Sequence, residues 1–339
     1  MHDREEVISI DQPAAWAAAL EGLPHGFHHT WAACSAAQLN TGRPTYLYCA
    51  ELGGTRVVCP FAERMRLGAL DLVTPGGISG FAATGPAPGF AARWRDFALR
   101  RGAVCGYFAQ HPEFADPMHG GEPWPTTPIY LLDLADGAAA LMARANKDRR
   151  REWRLWEREG NRYVIERRPV VEFVLAQHAA FMHAASAAPA STYCLEALER
   201  LVSAPGALLV GAASPSGTLE AAALFGTTRW GAEGVLQVRT AQGRRHTVAL
   251  MAWGIEALAA RGVAWLNLGG GARPGDSIAA AKLKWRPRVG AFRRVEQVYR
   301  PDEYARLCAL AGVDPRSRAG YFPAYYGAGP GATAVPPPA

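Results

Sequence analysis

Apolar residues recur along the chain in two successive blocks, and both blocks predict the same order of elements. The first block has helical spacing at 13–20 and 30–38, followed by the β-rich runs TYLYCAEL and TRVVCPFAERM, which a Gly-Gly pair separates as in a hairpin. A helix over 91–101, ended by Gly102, and the strand AVCGYFAQ complete this block.

The second block repeats this order. It has helices over 170–185 and 192–202, a hairpin formed by ALLVGAA and LEAAALFG, the strand EGVLQVRT, a long helix over 245–261 and the strand VAWLNL. Because two helices, a hairpin, a further helix and a closing strand occur in this order in both blocks, with one more strand after the second hairpin and without sequence identity between the blocks, we expect one α/β fold to be used twice.

The length of 339 residues fits two domains better than one. We predict an N-terminal domain over 1–143, a basic connecting helix over 144–165, a C-terminal domain over 166–312 and a Gly/Pro/Ala-rich tail over 313–339. Within the tail, YFPAYY has enough aromatic area to dock onto the body, whereas the last ten or so residues are expected to be mobile.

Composition narrows the class of protein. Hydrophobic residues make up 49% of the chain and charged residues 19%, which predicts packed cores, and the net charge of +6 favours anionic partners. Six cysteines show no CxxC pair and no metal-ligand spacing with the histidines, which predicts reduced thiols and no metal site. Since no signal-peptide pattern or long apolar run occurs, we expect a soluble cytoplasmic protein.

The stretch WLNLGGGARPGDSIAAAKLKW, residues 265–285, is the first candidate site. Its glycine spacing has one residue too many for the dinucleotide fingerprint, and the chain has no Walker lysine motif, GxSxG elbow or HExxH pair. Three consecutive residues without Cβ let the backbone approach a ligand, and Asp276 can cap the following helix. The alternative is that the glycines only form a tight turn.

Lys282 lies four residues after Ile278 and three before Trp285, so the three share one face of a short helix. A lysine on an otherwise apolar face suggests a functional ammonium; the alternative is a lysine whose stem covers apolar surface and whose head is idle. Lys284 is expected on the other side, as a surface charge.

The segment RANKDRRREWRLWERE is the second candidate. Residues 144–158 hold seven basic and three acidic side chains, and Arg150, Arg154 and Arg158 recur every four residues as a basic column. Trp153 and Trp156 are expected to anchor the opposite side of this helix. A solvated charged helix and a phosphate- or RNA-binding surface both fit the pattern.

These residues resemble a known family. LNLGGGARPGDSIAAAKLKW is similar to the C-terminal signature of the Fem-type aminoacyltransferases, with Asp276 at the acidic position, Lys282 at the lysine and Trp285 where phenylalanine is usual. The basic helix and the DLVTPGGISGF segment also resemble family features. No coiled-coil arm interrupts the chain, and RTAQGRRHT matches the coenzyme A loop of acetyltransferases poorly.

The resemblance implies two tandem GNAT-like acyltransferase domains, each a mixed and mostly antiparallel sheet flanked by helices. It also implies transfer of an aminoacyl group from charged tRNA to the amine of a small-molecule or peptide-like acceptor, with no cofactor, as in natural-product biosynthesis. Lys282 would stabilise the oxyanion or the departing ribose oxygen. The predicted substrate-binding residues are Asn267, Gly269, Gly270, Gly271, Asp276 and Trp285, and the predicted phosphate-binding residues are Arg150, Arg154, Arg158, Arg244 and Arg245.

Three alternatives stay open: an acyl-CoA donor on the same fold, a peptidoglycan precursor as the acceptor, and a non-catalytic module that binds RNA or a cell-wall precursor. Sensitivity of product formation to ribonuclease distinguishes a tRNA donor from coenzyme A.

Overall fold

A computed structural model describes residues 4–118, 126–187, 192–271, 275–317 and 321–326. The chain forms two compact units: the first contains residues 1–127 and 291–338, and the second contains residues 128–290. The prediction that the last ten or so residues are mobile lies outside the described residues.

The strands of the described residues are β1 (Arg4–Ser9), β2 (Thr45–Leu52), β3 (Thr55–Arg66), β4 (Ala69–Val73), β5 (Ala82–Ala83), β6 (Ala103–Gln110), β7 (Thr126–Asp133), β8 (Arg162–Val164), β9 (Ala207–Ala213), β10 (Leu219–Thr228), β11 (Gly231–Arg239), β12 (Trp265–Asn267) and β13 (Arg288–Val298). The helices are α1 (Pro13–Leu20), α2 (Trp31–Thr41), α3 (Phe90–Arg100), α4 (Gly137–Arg144), α5 (Lys147–Arg158), α6 (Arg167–Ala184), α7 (Leu195–Val202), α8 (Thr247–Ala259), α9 (Ser277–Leu283) and α10 (Pro301–Leu310). Short 3-10 turns in the same ranges are Phe27–His29, Gln242–His246 and Ala324–Tyr326.

The first unit is built on a mixed sheet in the order β1, β2, β3, β4, β6, β13, with β5 beside β3. All these pairs are antiparallel except β4 with β6, which run parallel. The hairpin between β2 and β3 turns at Gly53 and Gly54, both with positive φ, as their sequence predicts. The core of the first unit is aromatic, and Trp94 packs there against Phe61, Phe81 and Phe108.

The second unit repeats this plan in the order β8, β9, β10, β11, β12, β7. Again one of these pairs, β11 with β12, is parallel, and the others are antiparallel. Its core joins the apolar side of α8, which includes Val248, Ile255 and Leu258, to the strands, and Trp156 of α5 and Trp285 also lie in it. The predicted fold class, two mixed sheets flanked by helices with one plan used twice, is confirmed.

The bounds of the units differ from the predicted domain bounds at one strand of each sheet, β13 in the first unit and β7 in the second. Strand β7 pairs with β12, so residues 128–143, predicted in the N-terminal domain, belong to the second unit. Strand β13 pairs with β6 through Arg293–Val298, so residues from 291 onward, predicted in the C-terminal domain, belong to the first. The basic helix α5 is likewise part of the second unit.

The aromatic part of the tail packs onto the first unit, as predicted. Tyr325 is buried and its hydroxyl donates a hydrogen bond to Asp71, which also pairs with the buried Arg64. The Arg64 guanidinium lies 3.9 Å from the Tyr326 ring centroid. Tyr304 and Cys308 of α10 complete this cluster.

No helix within the described ranges is long and apolar enough to cross a membrane. Among the same residues no group of three or more His, Cys, Asp or Glu side chains could hold a metal ion. The six cysteines are free thiols, four of them buried.

Candidate active site

A cleft in the second unit opens where the two parallel strands part. Strands β11 and β12 pair only at Ala232 with Leu266 and at Glu233 with Asn267, after which β12 ends and β11 continues to Arg239. A β-bulge at Val235 interrupts the pairing of β11 with β10 at the same level. The resulting cleft has a volume of about 1200 Å³ and is bounded by β10, β11, α5, α8 and α9.

Lys282 lines this cleft together with Ile278 and Trp285, the two residues predicted to share its face of the short helix. Asp276 caps that helix, α9, by accepting a hydrogen bond of 2.8 Å from the amide of Ala279. Trp285 is buried in the core of the unit and anchors the end of the helix. The cap and the tryptophan therefore fix both ends of the segment that carries Lys282.

The Lys282 ammonium donates a hydrogen bond of 2.6 Å to the carbonyl oxygen of Gly270. Burial lowers the pKa of Lys282 to about 8, although the carboxylate of Asp276 opposes this shift. An ammonium group has three N–H bonds, and the Gly270 carbonyl uses one of them. The other two can meet a substrate oxygen, and near neutral pH the group is still mostly charged.

The glycine turn is fixed by contacts within its own chain. Gly269 has a φ of +72°, a conformation that favours glycine, and its amide donates to the Asn267 side chain at 2.7 Å. The Gly269 carbonyl accepts from the Tyr130 amide at 3.1 Å, which continues the pairing of β12 with β7. A Cβ on Gly270 would lie 2.9 Å from the Pro128 carbonyl oxygen. The close backbone approach predicted for Gly270 is thus to the protein itself, and the turn holds the oxygen that orients Lys282.

This packing predicts the effect of Gly270→Ala. The new methyl group must displace the Pro128 carbonyl, so we expect the free energy of unfolding to fall by about 1 to 3 kcal/mol, as for other overpacked sites. Gly234→Ala is the control, because its Cβ would have only an ordinary contact of 3.8 Å with the Asn267 carbonyl. Denaturant unfolding of both variants measures the difference; equal stability would show that the turn relaxes freely around position 270.

Among the described residues, six basic and two acidic side chains line the cleft. The acidic ones are Glu152, paired with Arg149 at 2.9 Å, and Glu159, which accepts from Asn161 at 3.2 Å. The basic ones are Arg149, Arg239, Arg244, Arg245, Lys282 and Lys284. Predicted phosphate-binding residues Arg244 and Arg245 therefore lie in the same cleft as Lys282, and the site carries excess positive charge.

The prediction for Lys284 needs correction, and the predicted arginine column lies outside the cleft. Lys284 also lines the cleft and lies 3.8 Å from Asp148, so it is not a surface charge on the other side. The column of Arg150, Arg154 and Arg158 is exposed and does not line the cleft. Arg149 does so instead, with a hydrogen bond of 3.3 Å to the Ala281 carbonyl.

The helical periodicity of α5 explains why Arg149 lines the cleft and the arginine column does not. Arg149 precedes the buried Trp156 by seven residues, which places both on the side of α5 that packs inward, and at 100° per residue the arginine column points elsewhere. The two tryptophans mark that side in the sequence: Trp156 is buried, and Trp153 packs against the core. Arg239, which lies 5.4 Å from the Phe181 ring centroid, has no distinguishing sequence pattern around it.

No family model and no curated protein matches this sequence. The crystal structure of FemX superposes with a TM-score of 0.63, over 89% of this chain and 98% of FemX, at 9% sequence identity. The chain has the fold of FemX.

Other structures share the FemX fold at similar distance. The C-terminal domain of a putative lysylphosphatidylglycerol synthetase from Agrobacterium fabrum covers 91% of this chain and 98% of its own length, with a TM-score of 0.56 and 12% identity. L-PGS from Bacillus licheniformis covers 85% and 92%, with a TM-score of 0.58 and 12% identity. At such identities the likeness concerns the fold, so the roles of the residues in the cleft rest on their geometry.

Proposed function

We propose that this protein is an aminoacyltransferase that moves the aminoacyl group of a charged tRNA onto an amine. The observation that carries the proposal is the partly buried Lys282 ammonium, held by the Gly270 carbonyl at one wall of a cationic cleft. The resemblance of the surrounding sequence to the Fem-type aminoacyltransferases supports the same assignment.

The reaction needs little chemistry from the protein, because the aminoacyl ester is already activated. The acceptor amine attacks the ester carbonyl, the carbonyl oxygen becomes an oxyanion, and the bond to the ribose oxygen then breaks. The proton lost by the amine ends on the released ribose hydroxyl, leaving an amide and free tRNA. Lys282 would donate hydrogen bonds to the oxyanion or to the departing ribose oxygen, since a cation fixed in advance at this position stabilises the developing charge.

The positive charge fits a polyanionic donor. The cationic cleft would receive the 3′ end of the tRNA, with Arg244 and Arg245 near its phosphates. The exposed column of Arg150, Arg154 and Arg158 would contact the RNA backbone outside the cleft. Asn267, Gly269, Gly271 and Asp276 would act indirectly, by shaping the turn and the helix cap on either side of Lys282.

We place the acceptor among small molecules or short peptides and the reaction in the cytoplasm, as part of natural-product biosynthesis. The test uses the purified protein, a mixture of tRNAs charged with labelled amino acids, and a small-molecule extract. We expect label from one or a few amino acids to move into an amide that survives mild base, which hydrolyses the ester. Label that stays on tRNA or appears only as free amino acid would contradict the proposal.

The pKa of Lys282 predicts the pH dependence of the chemical step. If the charged ammonium stabilises the oxyanion, kcat corrected for spontaneous ester hydrolysis should fall as pH rises through about 8, because the group loses its proton there. Lys282→Arg should be slower but should lack this descending limb, since arginine stays protonated. A rate that rises through the same pH in wild type but not in the variant would make neutral Lys282 a base instead.

A further inference from the structure

A hydrogen-bonded chain of four side chains crosses the second unit beside the cleft. The Trp156 indole N–H donates to Nδ1 of His246 at 2.6 Å, and Nε2 of His246 lies 2.9 Å from Oε2 of Glu220. Arg245 donates to the same carboxylate oxygen, also at 2.9 Å. The chain joins α5, the 3-10 turn before α8, and the start of β10.

The chain fixes the protonation of the histidine. An indole nitrogen can only donate a hydrogen bond, so Nδ1 of His246 must accept, and the single proton of a neutral ring is then on Nε2, facing Glu220. His246 is completely buried, and burial lowers its pKa despite the neighbouring carboxylate. The ring is therefore the neutral Nε2–H tautomer at physiological pH.

Glu220 holds the arginine-bearing turn by its backbone as well. Its carbonyl oxygen accepts from the Thr240 amide at 2.9 Å, and a Cβ on Gly243 would overlap that carbonyl. The turn thus lies directly on β10, and only glycine fits at 243. The Glu220 side chain is mostly buried and the Arg245 side chain is about half exposed. The carboxylate therefore holds the guanidinium of Arg245 from the protein side.

The residues at the two ends of this hydrogen-bonded chain line the cleft. Arg245 and Trp156 both line it, whereas His246 and Glu220 do not. An exposed arginine has several long rotamers, and holding it in one of them reduces the entropy lost when it binds an anion.

We propose that His246 is a positioning residue, which fixes Arg245 through Glu220 and Trp156 through its indole so that both present a preformed wall to a phosphate-bearing donor. This inference rests on the proposed function, because it assigns to Arg245 the recognition of a phosphate group in the charged tRNA. His246 itself does not touch the substrate.

A double-mutant cycle between His246→Gln and Arg245→Ala tests this role, with charged tRNA as the varied substrate. We expect each variant to raise KM by about tenfold, the size typical of one charged hydrogen bond, with kcat changed less than about twofold. Because His246 acts through Arg245, the double variant should also show about tenfold rather than about a hundredfold. A merely structural role would give additive effects, and that result would overturn the proposal.

The tautomer gives a readout that does not depend on activity. Ring ¹⁵N spectra of histidine-labelled wild-type protein, with the signal assigned by its loss in His246→Gln, should show a protonated Nε2 and an unprotonated Nδ1. A protonated Nδ1 would overturn the proposal even if the cycle is non-additive. If wild-type protein transfers nothing from tRNA, the proposed function is wrong; the spectra still decide whether the hydrogen-bonded chain exists.

Discussion

Lys282→Ala should reduce kcat for transfer from charged tRNA by on the order of 10²-fold or more, the usual loss when one donor to a developing oxyanion is removed. The reason is local: the ammonium is fixed at 2.6 Å from the Gly270 carbonyl, and its neighbours Ile278 and Trp285 line the same cleft. The measurement is a single-turnover rate at saturating protein, which separates chemistry from tRNA binding. Lys282→Arg should recover little, since a planar guanidinium cannot occupy the place of a compact ammonium.

The matched control is Lys147→Ala. The chain has three lysines, and Lys147 is exposed at the start of α5 and does not line the cleft, whereas Lys284 does. Rates within a factor of about two of wild type are expected for this control, as for most surface substitutions. If Lys282→Ala and Lys147→Ala turn over at similar rates while both stay folded, Lys282 has no part in the chemistry.

Reversing Arg150 and Arg154 to glutamate together should weaken binding of charged tRNA by tenfold or more at moderate salt. For every phosphate that these side chains no longer neutralise, the slope of log affinity against log salt should become shallower by about 0.7 to 0.9. Both side chains are exposed on α5 and donate to backbone carbonyls, Arg150 to that of Ala143 and Arg154 to that of Arg150. Fold stability should therefore change little.

Arg261→Glu is the control for charge alone. Arg261 is exposed and donates to the carbonyl of Ala257, four residues before it, as Arg154 does on its own helix. Filter binding across a salt series should give a wild-type slope for Arg261→Glu and a flatter one for Arg154→Glu. Equal slopes in the two single variants would show that the arginine column is a solvated helix face and does not contact RNA.

Local sequence patterns predict much of this molecule. The repeated element order and the Asp276 cap follow from residues a few positions apart, and the structure confirms both. The sheet to which β7 or β13 belongs cannot be predicted in this way. Whether β7 pairs with β12 is decided by contacts more than a hundred residues apart, which leave no periodicity in the strand itself.

The candidate site shows the same limit at shorter range. The three glycines do form a special turn, but whether Gly270 approaches a ligand or Pro128 depends on a strand outside the motif. Arg149 can be chosen over Arg150 from sequence, because it shares a helix face with Trp156 and the tryptophan marks the inward side. The chain from Trp156 through His246 to Glu220 joins residues up to 90 positions apart and has no counterpart in any local pattern.

The identity of the donor is the central claim, and one measurement tests it most directly. Purified protein is given an amine acceptor found in the extract experiment and, in parallel, a charged tRNA or the same acyl group as its coenzyme A thioester. The proposed function predicts amide formation from charged tRNA that is abolished when ribonuclease is added first, with no product from the thioester. Product that survives ribonuclease, or that forms from the thioester alone, would contradict it and identify the protein as an acyl-CoA-dependent transferase.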